Sequence, residues 1–259
     1  MKLDFETDGG IGNRANLGVI VLETDETLEW EFARMIAHED VALYHSRIPM
    51  VAEIQPDTLA RMETDLPAAT RLLPPTLDFD VIGYGCTSAA TVIGSDRVAA
   101  RVQQVFPRAR VTDPLAAIIA ATRSLGAARI GFLTPYVPEV SQRMRQKLQD
   151  AGLEIASFGS FEESNDHTVA RITEASIAQA VRAVANAAAS DGSCDAVVIS
   201  CTNLRCLQII PEIEAEIGVP VLSSNTALAW HMQRLAGINE RKPQFGRLFC
   251  SPLCPKMTP

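Results

Sequence analysis

The stretch DFDVIGYGCTS at residues 78–88 recurs in altered form as DAVVISCTN at residues 195–203. In both, an Asp opens a short apolar run and a cysteine, Cys86 or Cys201, stands six positions later with Thr directly after it. Short runs rich in β-branched residues are typical of strands that are buried on both faces of a parallel sheet. The repeat therefore predicts two similar half-domains, each with a cysteine where a strand gives way to a loop and helix.

The position of these cysteines suggests a ligand site. Open α/β sheets bind ligands at the carboxyl ends of their strands, and the N–H groups that begin a helix favour an anion, whether a carboxylate or a thiolate. A single cysteine of this kind is usually a small buried core residue. Two in matching positions favour a functional pair that faces one cleft from opposite sides.

Strand-like and helix-like segments alternate along the chain, which predicts an α/β fold. We expect two pseudosymmetric flavodoxin-like lobes with parallel sheets and the active site in the cleft between them. Lobe one is predicted to cover residues 1–113 and lobe two residues 114–223, while residues 224–259 return to pack on lobe one. Among the individual elements, helices are predicted over residues 95–105 and 207–217.

Composition narrows the class of protein. The 259-residue chain is 47% hydrophobic and has a net charge of −8, which argues against a nucleic-acid or anionic-membrane partner. No apolar run reaches the ~20 residues that span a bilayer, and the N-terminal MKLDFETDGG lacks the apolar core of a secretory signal. With six cysteines and a well-supplied core, we expect free thiols in a reducing cytoplasm rather than a disulfide framework.

Other chemistries have weaker signals. The pairs Cys201/Cys206 and Cys250/Cys254 invite a zinc interpretation, but no His lies at ligand spacing, so no metal is predicted. The sequence GYG at residues 83–85 lacks the third glycine of a dinucleotide fingerprint, and no nucleophile-elbow motif is present.

A family resemblance extends over nearly the whole chain. It is carried by GVIVLETDETLE (18–29), GYGCTSAATVIG (83–94), LTPYVPEV (133–140), SNDHTVARI (164–172), SCTNLR (200–205) and VPVLSSNTALAWHM (219–232). These segments resemble the aspartate/glutamate racemase superfamily. The most similar branch holds maleate cis-trans isomerases, arylmalonate decarboxylases and the EutA-type proteins of ectoine utilisation.

The resemblance implies a homodimeric enzyme without a cofactor that holds a small carboxylic acid between Cys86 and Cys201. In maleate isomerases the first cysteine adds covalently to the double bond and the second serves a proton step, whereas in racemases both carry protons. Arylmalonate decarboxylases keep only the second cysteine, so the presence of both disfavours that activity here.

Further site residues follow from the same resemblance. Tyr136 falls on a tyrosine that contacts substrate in maleate isomerases. Asp25 and Asp166 (or, with a slipped alignment, Asn165) stand where maleate isomerases have Asn, which puts a simple maleate substrate in doubt. The side chains and amides expected to bind the substrate carboxylate belong to Thr87, Ser88, Thr202 and Asn203.

Asp25 suggests a refinement of the substrate class. An anionic side chain repels a dicarboxylate and attracts an ammonium group, so we expect a substrate with an amine or another cationic or donor group, such as an amino acid related to diaminobutyrate. The alternative is that Asp25 only caps the following helix, a position where Asp is favoured.

Two uses of the cysteine pair stay open. The pair could transfer protons on opposite faces of an α-carbon, or one thiolate could add to an activated alkene before rotation and elimination. Either use is expected to need a thiol pKa lowered from ~8.5 by helix N–H groups. A non-catalytic protein that closes on a small acid is the alternative from another class, although binding alone needs no paired thiols.

Overall fold

The structure is a computed structural model that describes residues 1–52, 56–189 and 192–254. The strands of this part are β1 Ala15–Leu22, β2 Val41–Ile48, β3 Val81–Gly85, β4 Arg110–Thr112, β5 Arg129–Thr134, β6 Glu154–Ser160, β7 Ala196–Ile199 and β8 Val221–Ser223. They form two parallel sheets with the orders β2-β1-β3-β4 and β6-β5-β7-β8. Because both sheets have the same order, the predicted α/β fold of two pseudosymmetric lobes is confirmed.

This topology places the predicted site residues at two equivalent switch points. β1 pairs with β2 on one side and β3 on the other, and β5 lies in the same way between β6 and β7. Ligand crevices of open α/β sheets form at the carboxyl ends of such central strand pairs. Asp25 follows β1 and Cys86 follows β3, while Tyr136 follows β5 and Cys201 follows β7.

Helices surround the sheets. They are α1 Leu28–Met35, α2 Pro56–Thr70, α3 Thr87–Ile93, α4 Ser95–Gln103, α5 Pro114–Leu125, α6 Pro138–Asp150, α7 Asp166–Val169, α8 Glu174–Ala189, α9 Ile210–Ile217 and α10 Ser224–Leu235, followed by 3₁₀ turns at Pro243–Phe245 and Arg247–Cys250. Strands β3 and β7 are buried at every position, as expected for the centre of a covered parallel sheet.

Helix α10 is buried along its whole length and packs against α1, α5 and β3. Gly83 permits this approach, since a Cβ there would lie 2.6 Å from the Met232 sulfur. The chain beyond α10 reaches α1, where the Lys242 ammonium donates to the Met35 carbonyl at 2.7 Å. The lobe boundaries stay predictions, and residues 255–259 of the predicted returning tail lie outside the described residues.

Some predicted elements differ in the structure. The helix predicted over residues 207–217 begins only at Ile210, because Pro211 is tolerated in a first turn but not further inside a helix. The helix predicted over residues 95–105 ends at Gln103. Strand β4 was not predicted, because three residues are too few to show a period.

Asp113 caps the N-terminus of α5. Its Oδ1 accepts hydrogen bonds from the N–H groups of Leu115 and Ala116 at 2.9 and 3.0 Å. We expect Asp113→Ala to lower the free energy of unfolding by about 1–2 kcal/mol in urea titrations. Asp113→Asn keeps the accepting oxygen and serves as the control. Equal losses in the two variants would contradict a capping role.

Candidate active site

The two cysteines are held in similar ways after their strands. Cys86 is the N-cap of α3, and its sulfur accepts the Ala89 N–H at 3.3 Å. Cys201 stands two residues after β7, and its sulfur accepts the Asn203 N–H at 3.3 Å. Both side chains are buried. Each thiol is therefore fixed against a backbone amide that follows it.

Contacts between the sheets bring the two cysteine segments together. The Thr202 hydroxyl donates to the Gly85 carbonyl at 3.4 Å, so the residue after one cysteine reaches the residue before the other. Burial, followed by the charges of Cys201 and Cys86 and a hydrogen bond to Cys201, raises the pKa of Tyr136 well above its usual range. The Tyr136 phenol thus lies close to both thiols.

Two buried carboxyl groups lie on the same side of this centre. Asp25 Oδ1 accepts the N–H groups of Thr27 and Leu28 at 2.8 and 2.7 Å, whereas its Oδ2 is buried and has no hydrogen-bond partner among the described residues. Asp166 Oδ2 accepts a hydrogen bond from the Thr24 hydroxyl. In the part of the chain that the structure describes, neither carboxyl forms an ion pair with Lys or Arg.

Asn203 connects the segments that carry Asp25 and Asp166. Its Oδ1 accepts the Glu26 N–H at 2.9 Å, and its Nδ2 donates to the carbonyls of Thr24 and Asp166 at 3.4 and 3.1 Å. Its own carbonyl accepts the Thr27 hydroxyl at 3.0 Å. The Asn203 side chain is therefore occupied by protein groups from two segments, the turn after β1 and the start of α7.

Burial dominates the electrostatics of Asp25. It raises the pKa of this carboxyl group to about 6, although the hydrogen bonds from the Leu28 and Thr27 amides act in the opposite direction. Thr202 also acts to lower this pKa, but its hydroxyl donates to the Gly85 carbonyl rather than to Asp25. The charge of Asp25 is thus poorly compensated by the described protein groups around it.

Burial also dominates the two thiols. It raises the pKa of Cys86 to about 12, against the lowering effect of hydrogen bonds from the Ser88 side chain and the Ala89 amide. Burial and then the charge of Asp166 raise the pKa of Cys201 well above its usual range. Desolvation and nearby carboxylates thus outweigh the amide hydrogen bonds, so the lowered thiol pKa that the chemistry is expected to need is not found at either cysteine.

The remaining predicted residues differ in their surroundings. The Thr87 hydroxyl is hydrogen-bonded to the Ser224 hydroxyl at 2.8 Å, and the Ser88 hydroxyl lies 3.5 Å from the Cys86 sulfur. Asn165 is half-buried and caps α7 by accepting the Thr168 N–H at 3.1 Å. Of the two aligned candidates it is therefore Asp166, and not Asn165, that lies in the buried centre. The assigned substrate and catalytic roles stay predictions.

Thr24, Glu31 and Asn225 also belong to this region, although the sequence did not single them out. Glu31 is fully buried and accepts hydrogen bonds from the backbone that follows Cys201 and from Asn225. A signal was present, because Glu31 shares the face of α1 that carries the buried residue Leu28. A charged residue on an apolar helical face is informative because ionised groups are rarely buried without partners.

The described residues include neither a cluster of possible metal ligands nor a membrane-spanning helix. No group of three or more His, Cys, Asp or Glu side chains is arranged there to hold a metal ion. In the same residues, no helix combines the length and apolar character that crossing a membrane requires.

Known proteins resemble this chain in sequence and fold. The maleate isomerase of Nocardia farcinica is 25% identical over 242 residues, which cover 90% of this chain and 94% of that protein. The arylmalonate decarboxylase of Bordetella bronchiseptica is 35% identical over 135 residues, 51% of this chain, and the match spans only 55% of that protein. The solved maleate isomerase Iso from Pseudomonas putida S16 is 25% identical, with a TM-score of 0.81 over 91% of this chain and 98% of that chain.

These similarities confirm the predicted enzyme branch of the superfamily, which holds both maleate isomerases and arylmalonate decarboxylases. The sequence profile described as Amdase, arylmalonate decarboxylase, matches residues 96–249, more than half of the chain. The chain belongs to the arylmalonate decarboxylase family.

Proposed function

We propose that the chain is a cofactor-independent isomerase or racemase that acts on a small carboxylic acid held between Cys86 and Cys201. The observation that carries this proposal is that both thiols are buried and that their segments meet, since the hydroxyl of Thr202, next to Cys201, donates to the carbonyl of Gly85, next to Cys86, at 3.4 Å. Proton transfer on opposite faces of a carbon requires an acid and a base in fixed positions, which a pair of thiols supplies. The relatives that match 90% of this chain are named maleate isomerases, which supports the isomerase class.

The substrate carboxylate is proposed to lie against the first turn of α3. The first N–H groups of a helix have no acceptor within it and favour an anion, which makes the amides of Thr87 and Ser88 the principal donors. The Ser88 hydroxyl stands beside Cys86 and can donate to the same group. Across the site, Thr202 is proposed to bind through its amide and hydroxyl, and Asn203 to hold the loop that carries Asp25.

Either chemical route begins with a thiolate, although burial raises the pKa of both thiols. In racemisation one thiolate removes the α-proton while the other thiol protonates the opposite face. In cis-trans isomerisation a thiolate adds to the alkene, the resulting single bond rotates, and elimination restores the thiolate. A bound cationic group would favour the thiolate in both routes.

Such a cation is the proposed distinguishing feature of the substrate. Asp25 offers an unpartnered buried oxygen, and Asp166 adds a second carboxyl group nearby. A maleate dianion would bring more negative charge into this site, whereas an ammonium group would offset it. We therefore propose that the substrate is an amino acid, for example one related to diaminobutyrate. We also propose an EutA-type role in ectoine utilisation and a cytoplasmic homodimer.

A second candidate is arylmalonate-type decarboxylation. The 35% identity to the Bordetella bronchiseptica protein favours it, although the match spans about half of that protein. Release of CO₂ from an arylmalonate, with solvent hydrogen at the vacated position, would distinguish it from isomerisation.

Proton NMR in D₂O with a panel of small acids and amino acids tests these proposals. Deuterium at an α-carbon indicates proton transfer, conversion of maleate to fumarate indicates the alkene route, and loss of a carboxyl group indicates decarboxylation. If no compound in a broad panel reacts, the chain is better described as a binding protein for a small acid.

The variant Asp25→Asn tests the charge of the substrate. Asn keeps the Oδ1 that accepts the Thr27 and Leu28 N–H groups, so the helix cap survives while the negative charge is lost. We expect kcat/KM for an amino-acid substrate to fall about 10- to 100-fold, the worth of a charged hydrogen bond. The ratio of amino-acid to maleate turnover is the measurement, and an unchanged ratio would leave Asp25 as a helix cap only.

A further inference from the structure

Glu31 is a fully buried carboxyl group that the proposed chemistry does not use. It lies on α1 among the buried residues Leu28, Phe32 and Met35. Burial raises its pKa to about 7, although hydrogen bonds from Leu207, Asn225 and Cys206 lower it. Since burying a carboxyl group in a core is costly, its contacts are informative.

Both oxygens of Glu31 hold the chain that follows Cys201. Oε1 accepts the backbone N–H groups of Cys206 and Leu207 at 3.0 and 2.9 Å. Oε2 accepts the Asn225 side-chain amide at 2.8 Å, and the same amide nitrogen donates to the Thr202 carbonyl at 2.8 Å. One carboxyl group thus fixes both ends of the loop that runs from Thr202 to Leu207.

The two pseudosymmetric halves explain why this loop needs an external support. Helix α3 begins directly after Cys86, so helical hydrogen bonds fix the residues that follow that cysteine. After Cys201 no helix begins until Ile210, and the intervening backbone must find other partners. Glu31, which lies on α1 beside the other sheet, accepts hydrogen bonds from two N–H groups of this loop.

We propose that Glu31, acting together with Asn225, is a positioning residue that fixes Cys201 relative to Cys86. The inference deepens the proposed function and rests on Cys201 being a reacting group. Glu31 contacts neither thiol in this arrangement. It acts through the loop, whose first residue, Thr202, also contacts Gly85 beside Cys86.

Thiol reactivity measures this positioning without a known substrate. Glu31→Gln keeps an oxygen for Cys206 and Leu207 but turns an NH₂ group toward the Asn225 amide, where two donors then oppose each other. We expect iodoacetamide to modify Cys201 about five- to tenfold faster in this variant, the effect of losing roughly one hydrogen bond, with Cys86 changed less than about twofold. Peptide mass spectrometry reports each cysteine separately.

Asn225→Ala separates geometry from charge. It removes the donor to Glu31 and Thr202 but leaves the carboxyl group in place, so loss of the Glu31 carboxyl group cannot explain a faster reaction of Cys201. The same preferential rise at Cys201 is expected, together with faster hydrogen exchange in the peptide covering residues 201–209. This variant also keeps the test decisive if Glu31→Gln does not fold.

Glu214→Gln is the matched control. Glu214 is also a buried carboxyl group that accepts two backbone N–H groups, from Val221 and Arg247 at 2.9 Å each, but it holds the C-terminal segment. We expect it to alter thermal stability without a preferential effect on Cys201. Equal acceleration at Cys86 and Cys201, or the same pattern in Glu214→Gln, would overturn the positioning role.

The outcome is independent of the proposed chemistry. If Cys201 reacts faster in both test variants but no acid in the NMR panel is turned over, the positioning holds and the isomerase proposal fails. If an acid is turned over, kcat should fall about tenfold in Glu31→Gln with little change in KM, because misplaced reacting groups lose rate rather than affinity.

Discussion

Replacing either Cys86 or Cys201 with serine is expected to lower turnover about a thousandfold or more, because each thiol supplies an acid, base or nucleophile that a hydroxyl group replaces poorly. The serine hydroxyl can accept the same backbone N–H that each sulfur accepts. The loss of activity should therefore appear in kcat, with the fold unchanged. The rate of conversion of the acid identified by NMR is the measurement, with circular dichroism to check the fold.

The single variants also separate the two chemical routes. If both thiols carry protons, a variant that keeps one thiol can still exchange the α-proton with solvent from that face, although it no longer inverts the centre. If Cys86 adds to an alkene, Cys86→Ser loses all conversion, because no covalent adduct forms. Deuterium exchange without racemisation in one variant therefore identifies the proton route.

Cys194→Ser is the matched control for this experiment. Cys194 is buried like the proposed pair but stands before β7, at the opposite end of the strand from Cys201. Its replacement should change turnover less than about twofold, because it lies outside the oriented set of reacting groups. A comparable loss in Cys194→Ser, or activity in either Cys86→Ser or Cys201→Ser above about a tenth of wild type, would contradict the role of the pair.

The repeated motif predicted the fold because it reports position as well as strand propensity. An Asp, a buried run and a cysteine at the same spacing require that both cysteines leave equivalent strands, and β3 and β7 are the corresponding strands of the two sheets. Strand ends of a parallel sheet share one edge, and the structure places Asp25 after β1 and Tyr136 after β5, the two positions that the family resemblance singled out.

The energetics of the site could not be predicted from the same residues. A helix start beside Cys86 suggested a lowered thiol pKa, but the outcome depends on how completely water is excluded and on carboxyl groups distant in sequence, such as Asp166. The support of the Cys201 loop by Glu31 likewise joins positions about 170 residues apart in sequence. Local patterns carry no information on such contacts, which only the packing of the lobes creates.

Asp25→Asn is expected to raise the free energy of unfolding at pH 8. The difference from the wild type should vanish at acidic pH. Burial raises the pKa of Asp25 from 3.8 to about 6 in the folded state. The folded protein then binds more protons than the unfolded chain between these values, so its stability falls as pH rises through this window. At ~1.4 kcal/mol per pH unit, the wild type loses roughly 2.5 kcal/mol between pH 4 and pH 8 through this group, because the carboxyl of the unfolded chain is already more than half ionised at pH 4.

The Asp25→Asn side chain has no such dependence, and it keeps the two hydrogen bonds to Thr27 and Leu28 through Oδ1. Urea titrations of both proteins at pH 4.5 and pH 8 give the double difference, which should reach about 2 kcal/mol in favour of the variant at the higher pH. Asp113→Asn, at another buried helix cap, provides the comparison outside the site. The proposed ammonium group of the substrate explains why a carboxylate that destabilises the fold is kept at physiological pH. Groups that a function requires are commonly kept at a cost in stability. If Asp25→Asn brings no gain at pH 8, Asp25 is already neutral or paired there, and the proposed amine loses its partner.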